Sequence, residues 1–138
     1  CHVLKITDEE LRFMTGIEDE KQAVSHLQAV HAIPLILVTA GAFGSTAYWA
    51  KEALKAEAFL TDRTIDTTGA GDTFCGCCLN YLLDHPVDSL DREGVREMLT
   101  TASAAASIVT TRKGALKSMP EPGEIEEVVR SSISAEQK

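Results

Sequence analysis

Apolar and polar positions change period several times along this chain, and each change marks an element. HVLKI at 2–6 reads as a short strand. Thr7 follows as a helix N-cap, with Glu10 three residues on as its capping-box partner. The spacing predicts a helix over 8–14, ended by Gly16. A second helix is predicted over 19–31, where Ala23, Val24, Leu27 and Val30 recur as a buried stripe and Pro34 is the stop. LILVT at 35–39 is a continuous apolar run bounded by proline and glycine, the pattern of a strand covered on both faces, as in a parallel sheet.

After AGAFG, STAYWA at 45–50 reads as an adjoining strand, LKAEAFL at 54–60 as a partly alternating one with an exposed face, and 64–66 as a last short strand. A helix is predicted over 71–83, with Cys75, Leu79, Leu82 and Leu83 on one face, followed by the loop HPVDSLDRE. A long helix over 91–109 carries Val95, Met98, Leu99, Ala102, Ala105, Ala106 and Val109 on one stripe, and its alanines allow close approach by a neighbour. TTRKGALKSMPEPG is a basic loop, 124–132 a final helix, and SAEQK at the end is expected to fray. Strands alternating with helices argue for an α/β layered domain. There is no internal repeat and no low-complexity tract.

Composition narrows the function classes. The 138 residues suffice for one domain with a real core but not for two. A formal net charge of -8 makes the chain a poor candidate for gripping nucleic acid or an anionic membrane by its overall field. No apolar run approaches bilayer-spanning length, and no secretory signal is visible. Three of the four cysteines, Cys75, Cys77 and Cys78, sit almost together, which is not a disulfide framework and favours a reducing, cytosolic setting. CHVLKI opens without Met as a strand already under way, so the chain is expected to be the later part of a longer protein.

The chemistry concentrates in IDTTGAGDTFCGCC at 65–78. Gly69 and Gly71 can adopt positive φ, and successive N–H groups in such a turn form an anion-binding nest at the start of a helix. A P-loop would need a Lys that is absent, and a dinucleotide fingerprint would need Gly where Phe74 stands. Asp72 at the rim would repel a phosphate, but it suits an attacking hydroxyl whose proton it accepts. A plain strand-to-helix turn with Asp72 as a first-turn acid is the alternative. CGCC on a helix would point its sulfurs in different directions, and small residues packed on a sheet are the better reading. The four histidines show no zinc spacing, and the pair Arg112 and Lys113 reads as solvated.

DTTGAGDTF at 66–74 resembles the characteristic motif of the ribokinase-like, or phosphofructokinase-B, sugar kinases. VLKITDEELRFMTG at 3–16 resembles that family's Asn-x-x-Glu segment, LVTAGAFGSTAY at 37–48 its nucleotide-loop strand, and AAASIVTTRKGALKSMP at 104–120 its late nucleotide and cation loop. The four segments come in family order, and the wording is most like bacterial fructokinases. The resemblance implies a three-layer αβα ribokinase-like (Rossmann-like) sheet. It implies that residues 1–138 are the carboxyl-terminal nucleotide-binding and catalytic portion, without the small lid sheet and most sugar-binding residues.

By the same resemblance Asp72 is the general base, and Gly69, Ala70, Gly71 and Asp72 supply the backbone anion hole for the transferring phosphoryl group. Thr39, Gly41 and Gly44 match the T-x-G-x-x-G nucleotide loop, and Ser103 falls near the adenine, although as a lone small residue it also reads as packing. Asp66 and Thr68, with carbonyls of Val109, Arg112 and Gly114 and the hydroxyl of Ser118, match a monovalent-cation site for K⁺; a carboxylate capping the following turn is the alternative for Asp66. Glu10 fits the acid that organises the water shell of Mg²⁺, with Thr7 in place of the family Asn. The implied activity is ATP-dependent phosphorylation of a sugar hydroxyl. The alternatives are an inactive nucleotide-binding fragment, or a nucleoside or 2-keto-3-deoxygluconate kinase. The implied partners are ATP and a sugar, with no nucleic acid and no membrane, and the resemblance leaves a homodimeric parent open.

Overall fold

The first strand, β1 (Val3–Thr7), runs straight into α1 (Asp8–Thr15), because Thr7 ends one and caps the other. Thr7 Oγ1 accepts from the Glu10 N–H at 3.1 Å while Glu10 Oε2 accepts from the Thr7 N–H at 2.9 Å, so the predicted capping box is formed. Gly16 closes α1 in the left-handed conformation. These elements belong to a computed structural model that describes residues 1–114 and 118–136, with the backbone alone for the last four.

Asp19 caps α2 (Glu20–His31), and Ala32 turns the chain back into β2 (Leu35–Thr39). β3 (Ser45–Trp49) and β4 (Glu52–Ala56) follow, then α3 (Ala70–Asp84), α4 (Arg92–Thr110) and α5 (Pro122–Glu136). The sheet order is β1-β2-β3-β4. β2 lies parallel to β1, with Val3 opposite Leu35 and Thr7 opposite Thr39, and antiparallel to β3, so the sheet is mixed. Alternation along the strands divides the core. Ile6, Ile36 and Val38 pack with Leu11, Val24 and Leu27 of α1 and α2. Leu35, Leu37, Ala47 and Trp49 pack with Phe74 and Cys78 of α3 and Met98 and Leu99 of α4. The result is three layers, as expected. Both faces of β2 are covered, and each fully buried Leu or Ile there contributes about 1.5–3 kcal/mol.

The elements depart from the sequence reading in five places. Val30 is 58% exposed: α2 ends one residue later at His31, the left-handed Ala32 turns the chain, and Ile33 joins that side of the core instead. α3 buries Thr73, Phe74 and Cys78 and leaves Leu79 exposed and Leu83 80% exposed. Both stripes of α3 are apolar in sequence, and the contacts with α4 and the sheet select between them. β4 begins at Glu52, since Ala50 and Lys51, both at positive φ, make a two-residue hairpin without the usual Gly or Asn. It ends at Ala56, and 57–60 leave the sheet. No strand forms at 64–66, where the N–H groups of Ile65 and Asp66 both donate to the Thr110 carbonyl, at 2.8 and 3.1 Å. α5 starts at Pro122, a favoured first helical residue, and reaches Glu136; the fraying expected of SAEQK falls partly on residues 137 and 138, outside the described residues.

Candidate active site

The carboxyl ends of β1 and β2, the start of β3 and the start of α3 surround a cleft of about 430 Å³. Thr7 and Thr39 end adjacent parallel strands and stand opposite each other in register. Past Thr39 the chain makes a single 3₁₀ turn, Gly41–Phe43, closed by Ala40 N–H donating to the Gly44 carbonyl at 2.9 Å. Gly44 leaves that turn at φ 91°, ψ -148°, a region nearly reserved for glycine, and a Cβ there would lie 2.1 Å from the Ala56 carbonyl oxygen. Gly44→Ala is therefore expected to destabilise the chain by about 2–6 kcal/mol, the sum of backbone strain and an overpacked contact with a rigid neighbour. Chemical denaturation of both chains measures it, and a loss under 1 kcal/mol would refute the geometry of this loop.

On the facing wall Gly69 is left-handed at φ 83° and forms the N-cap of α3, while Gly71 is already helical. The sequence expectation of positive φ thus holds at Gly69 and not at Gly71, where the missing side chain provides space instead. The first intrahelical bond runs from Thr73 N–H to the Gly69 carbonyl at 2.9 Å, which leaves the N–H groups of Gly71 and Asp72 at the open end of the helix. No side chain among the described residues caps this end. The starts of α1, α2 and α4, by contrast, are capped by Thr7, Asp19 and Asp91. Asp72 is exposed in the first turn.

Of the residues singled out by sequence, Thr7, Thr39, Gly41 and Gly44 meet Ala70, Gly71 and Ser103 on this one cleft. Ser103 reaches it from α4 although the residue is buried. Asp66 and Thr68 lie in the loop that leads into Gly69 and are not among the residues that line the cleft. Asp66 Oδ1 accepts from the Thr68 N–H at 2.9 Å, and hydrogen bonds from the Thr68 side chain and then its N–H hold the carboxyl below its ordinary range. The two bonds to the Thr110 carbonyl tie this loop to the end of α4, beside Val109 and Arg112. The Val109 carbonyl accepts from the Arg112 N–H at 3.1 Å, Gly114 sits at φ 96°, and Ser118 is fully buried. Residues 115–117, between them, lie outside the described residues. Arg112 is not simply solvated: it pairs with Glu124 of α5 and donates to the Ser118 carbonyl at 3.5 Å, while Lys113 is exposed. Glu10 lies on the helix side of Thr7, its carboxyl held low by the Thr7 N–H and then the Thr7 hydroxyl.

Sequence reasoning passed over two residues of the cleft. Lys5 lines it, on the face of β1 that also carries Val3 and Thr7. Ser45 lines it too, and its Oγ is buried without a hydrogen-bond partner among the described residues. The available signal was period: both are polar positions on strand faces that otherwise point inward. Part of the remaining wall comes from Ala58, Phe59, Leu60 and Thr64, which the sequence pattern assigned to strands, and from Thr61 between them. Among the CGCC sulfurs, burial pushes the thiols of Cys77 and Cys78 up, which makes them poor nucleophiles, and Cys78 sits in the core.

A sequence model described as pfkB family carbohydrate kinase matches residues 1–122, and the chain belongs to that family. Probable fructokinase-4 of Arabidopsis thaliana is 35% identical over 133 residues, which is 96% of this chain and 40% of the relative. Fructokinase-1 of Zea mays is 32% identical over 94% of this chain and 40% of its own length. Among solved structures, the fructokinase of Vibrio cholerae O395 bound to fructose, ADP and calcium superposes with a TM-score of 0.83 at 28% identity, covering 94% of this chain and 41% of that one. The ribokinase of Arabidopsis thaliana, complexed with ribose and ATP, gives 0.75 at 28% identity, covering 93% and 40%. The three-layer arrangement is thus that of the ribokinase-like enzymes. The chain spans about 40% of the length of the curated relatives it matches. No helix among the described residues is long and apolar enough to cross a membrane.

Proposed function

We propose that residues 1–138 are the carboxyl-terminal nucleotide-binding and catalytic portion of a sugar kinase that transfers the terminal phosphoryl group of ATP to a sugar hydroxyl, with fructose as the first candidate. One observation carries this reading: the 39–44 loop, Ala70 and Gly71 at the start of α3, and Ser103, far apart in sequence, wall a single cleft. The names of the relatives and the fructose and ADP in the Vibrio cholerae structure support it.

In this reading the triphosphate lies along the cleft with its terminal group at the open N–H end of α3. Asp72 takes the proton of the attacking sugar hydroxyl as the new O–P bond forms and the bond to the ADP oxygen breaks. The nest N–H groups face the equatorial oxygens, where charge accumulates in a loose transition state. Glu10, held beside the cleft residue Thr7, would be the acid that organises a magnesium water shell. Magnesium, when bound, would neutralise phosphate charge. Asp66, Thr68, the carbonyls of Val109, Arg112 and Gly114 and the hydroxyl of Ser118 would offer an oxygen set, the right chemistry for a hard monovalent ion such as potassium. Free thiols, with no disulfide among the described residues, fit the proposed reducing cytosolic setting.

The test is a coupled assay of the longer protein with Mg-ATP and a panel of fructose, ribose, a nucleoside and 2-keto-3-deoxygluconate, run in potassium and in a bulky organic cation. Fructose is expected to give the highest kcat/KM, with potassium raising it and Asp66→Ala abolishing the potassium response. No ATP consumption with any acceptor would sink the proposal. Equal rates in the two salts would remove the cation site alone.

A further inference from the structure

One cation of the cleft has no role in the mechanism above. Lys5 points from β1 toward α3, and a Cβ built on Gly71 would lie 3.1 Å from its Nζ and 3.8 Å from its Cε. Among the described residues no carboxylate pairs with this ammonium and no hydrogen bond engages it. Glu10, the acid whose charge it influences, is already occupied by Thr7. The ammonium therefore stands unneutralised next to the positive end of a helix dipole, at the one side-chain-free helix start among α1 to α4. Two like charges facing each other are unfavourable until an anion lies between them.

A second observation on the cleft wall is an unsatisfied polar group. Ser45 Oγ, the only buried side-chain nitrogen or oxygen without a partner among the described residues, stands on the same wall. Such an orphan carries a desolvation cost that a ligand atom removes. A Cβ at Gly71 would press on Nζ and push the ammonium aside by a few tenths of an ångström, so the glycine leaves Lys5 the space it occupies.

We propose that Lys5 is a phosphate-binding residue that grips the terminal phosphoryl group of the nucleotide, so that the cleft discriminates a nucleoside triphosphate from a diphosphate. This rests on the reading of the cleft as a nucleotide site. The terminal group is singled out because Nζ lies against Gly71, the residue next to Asp72, and the transferred phosphorus has to lie within reach of the hydroxyl that Asp72 deprotonates. The ammonium acts as a point charge on the transferring group.

The experiment is isothermal titration of the 138-residue chain with Mg-ATP, Mg-ADP and AMP, for the wild type, Lys5→Met, Lys5→Gln and Lys5→Arg. Circular dichroism melts check folding, and the Gln variant keeps the test valid if the Met variant unfolds. The neutral variants are expected to lose ATP affinity roughly tenfold to a hundredfold, the worth of a charge-assisted hydrogen bond, with ADP and AMP changed less than about twofold and the Arg variant intermediate. Equal losses for ATP and ADP would overturn the assignment to the terminal group. Unchanged ATP affinity in a folded variant would overturn the role of Lys5 while leaving the nucleotide cleft intact. A wild-type chain that binds no nucleotide would overturn the cleft reading and this inference with it.

Discussion

Asp72→Asn in the longer protein is expected to lower turnover by on the order of 10²–10⁴ while leaving ATP affinity unchanged. The substitution keeps size and planarity and removes only the proton acceptor. Asp72 lies in the first turn of α3, exposed to an incoming acceptor and adjacent to the nest N–H groups. Nucleotide binding should survive because the cleft wall is made by other residues, Ala70 and Gly71 among them. Steady-state kinetics with the preferred sugar measures kcat, and titration with ATP measures binding. A variant whose kcat stays within about twofold of the wild type would make Asp72 a helix-start acid and nothing more.

The 138-residue chain alone is expected to bind ATP or ADP weakly and to phosphorylate no sugar. The proposed nucleotide cleft lies within this chain, but the chain covers about 40% of the length of the fructokinases it matches. On the proposed reading, alignment of a hydroxyl with the phosphorus and exclusion of water fall to the part of those relatives that this chain does not cover. In phosphoryl transfer positioning is most of the catalysis, and effective molarities of about 10⁵–10⁸ M measure what is lost without it. Exposed apolar groups, Phe13 at 91% and Leu83 at 80% among them, also favour self-association of the isolated chain. Purified chain, checked for folding and for oligomeric state by light scattering, would be assayed with several sugars at saturating Mg-ATP. Sugar-dependent ADP release at an ordinary enzymatic rate would overturn this account of how the activity is divided along the longer protein.

Local signals carried much of the fold. Thr7, Glu10 and Gly16 bound α1 through contacts no more than a few residues apart, and such contacts are written directly in sequence. The unbroken apolar run of β2 announced burial on both faces, because no polar side chain would tolerate either. The glycine motif at 69–71 announced an open helix start for the same local reason, and the structure shows no side chain closing it.

Other features depended on which surfaces meet. α3 has two apolar stripes, and nothing within the helix says that Phe74 and Cys78 face the core while Leu79 and Leu83 do not; packing against α4 and the sheet decides it. The backbone of 64–66 could have paired as a strand, but the Thr110 carbonyl, forty-odd residues away in sequence, takes its N–H groups instead. Lys5 shows the limit most plainly. In sequence it is one lysine in a strand whose alternation fixes only its face, and the placement of α3 across the carboxyl end of β1 is what brings its ammonium to Gly71. The sequence by itself determined the elements whose stabilising contacts are local, together with the family to which their motifs belong. Only the tertiary structure decided which side chains share the cleft, because that depends on long-range packing, whose partners no local window contains.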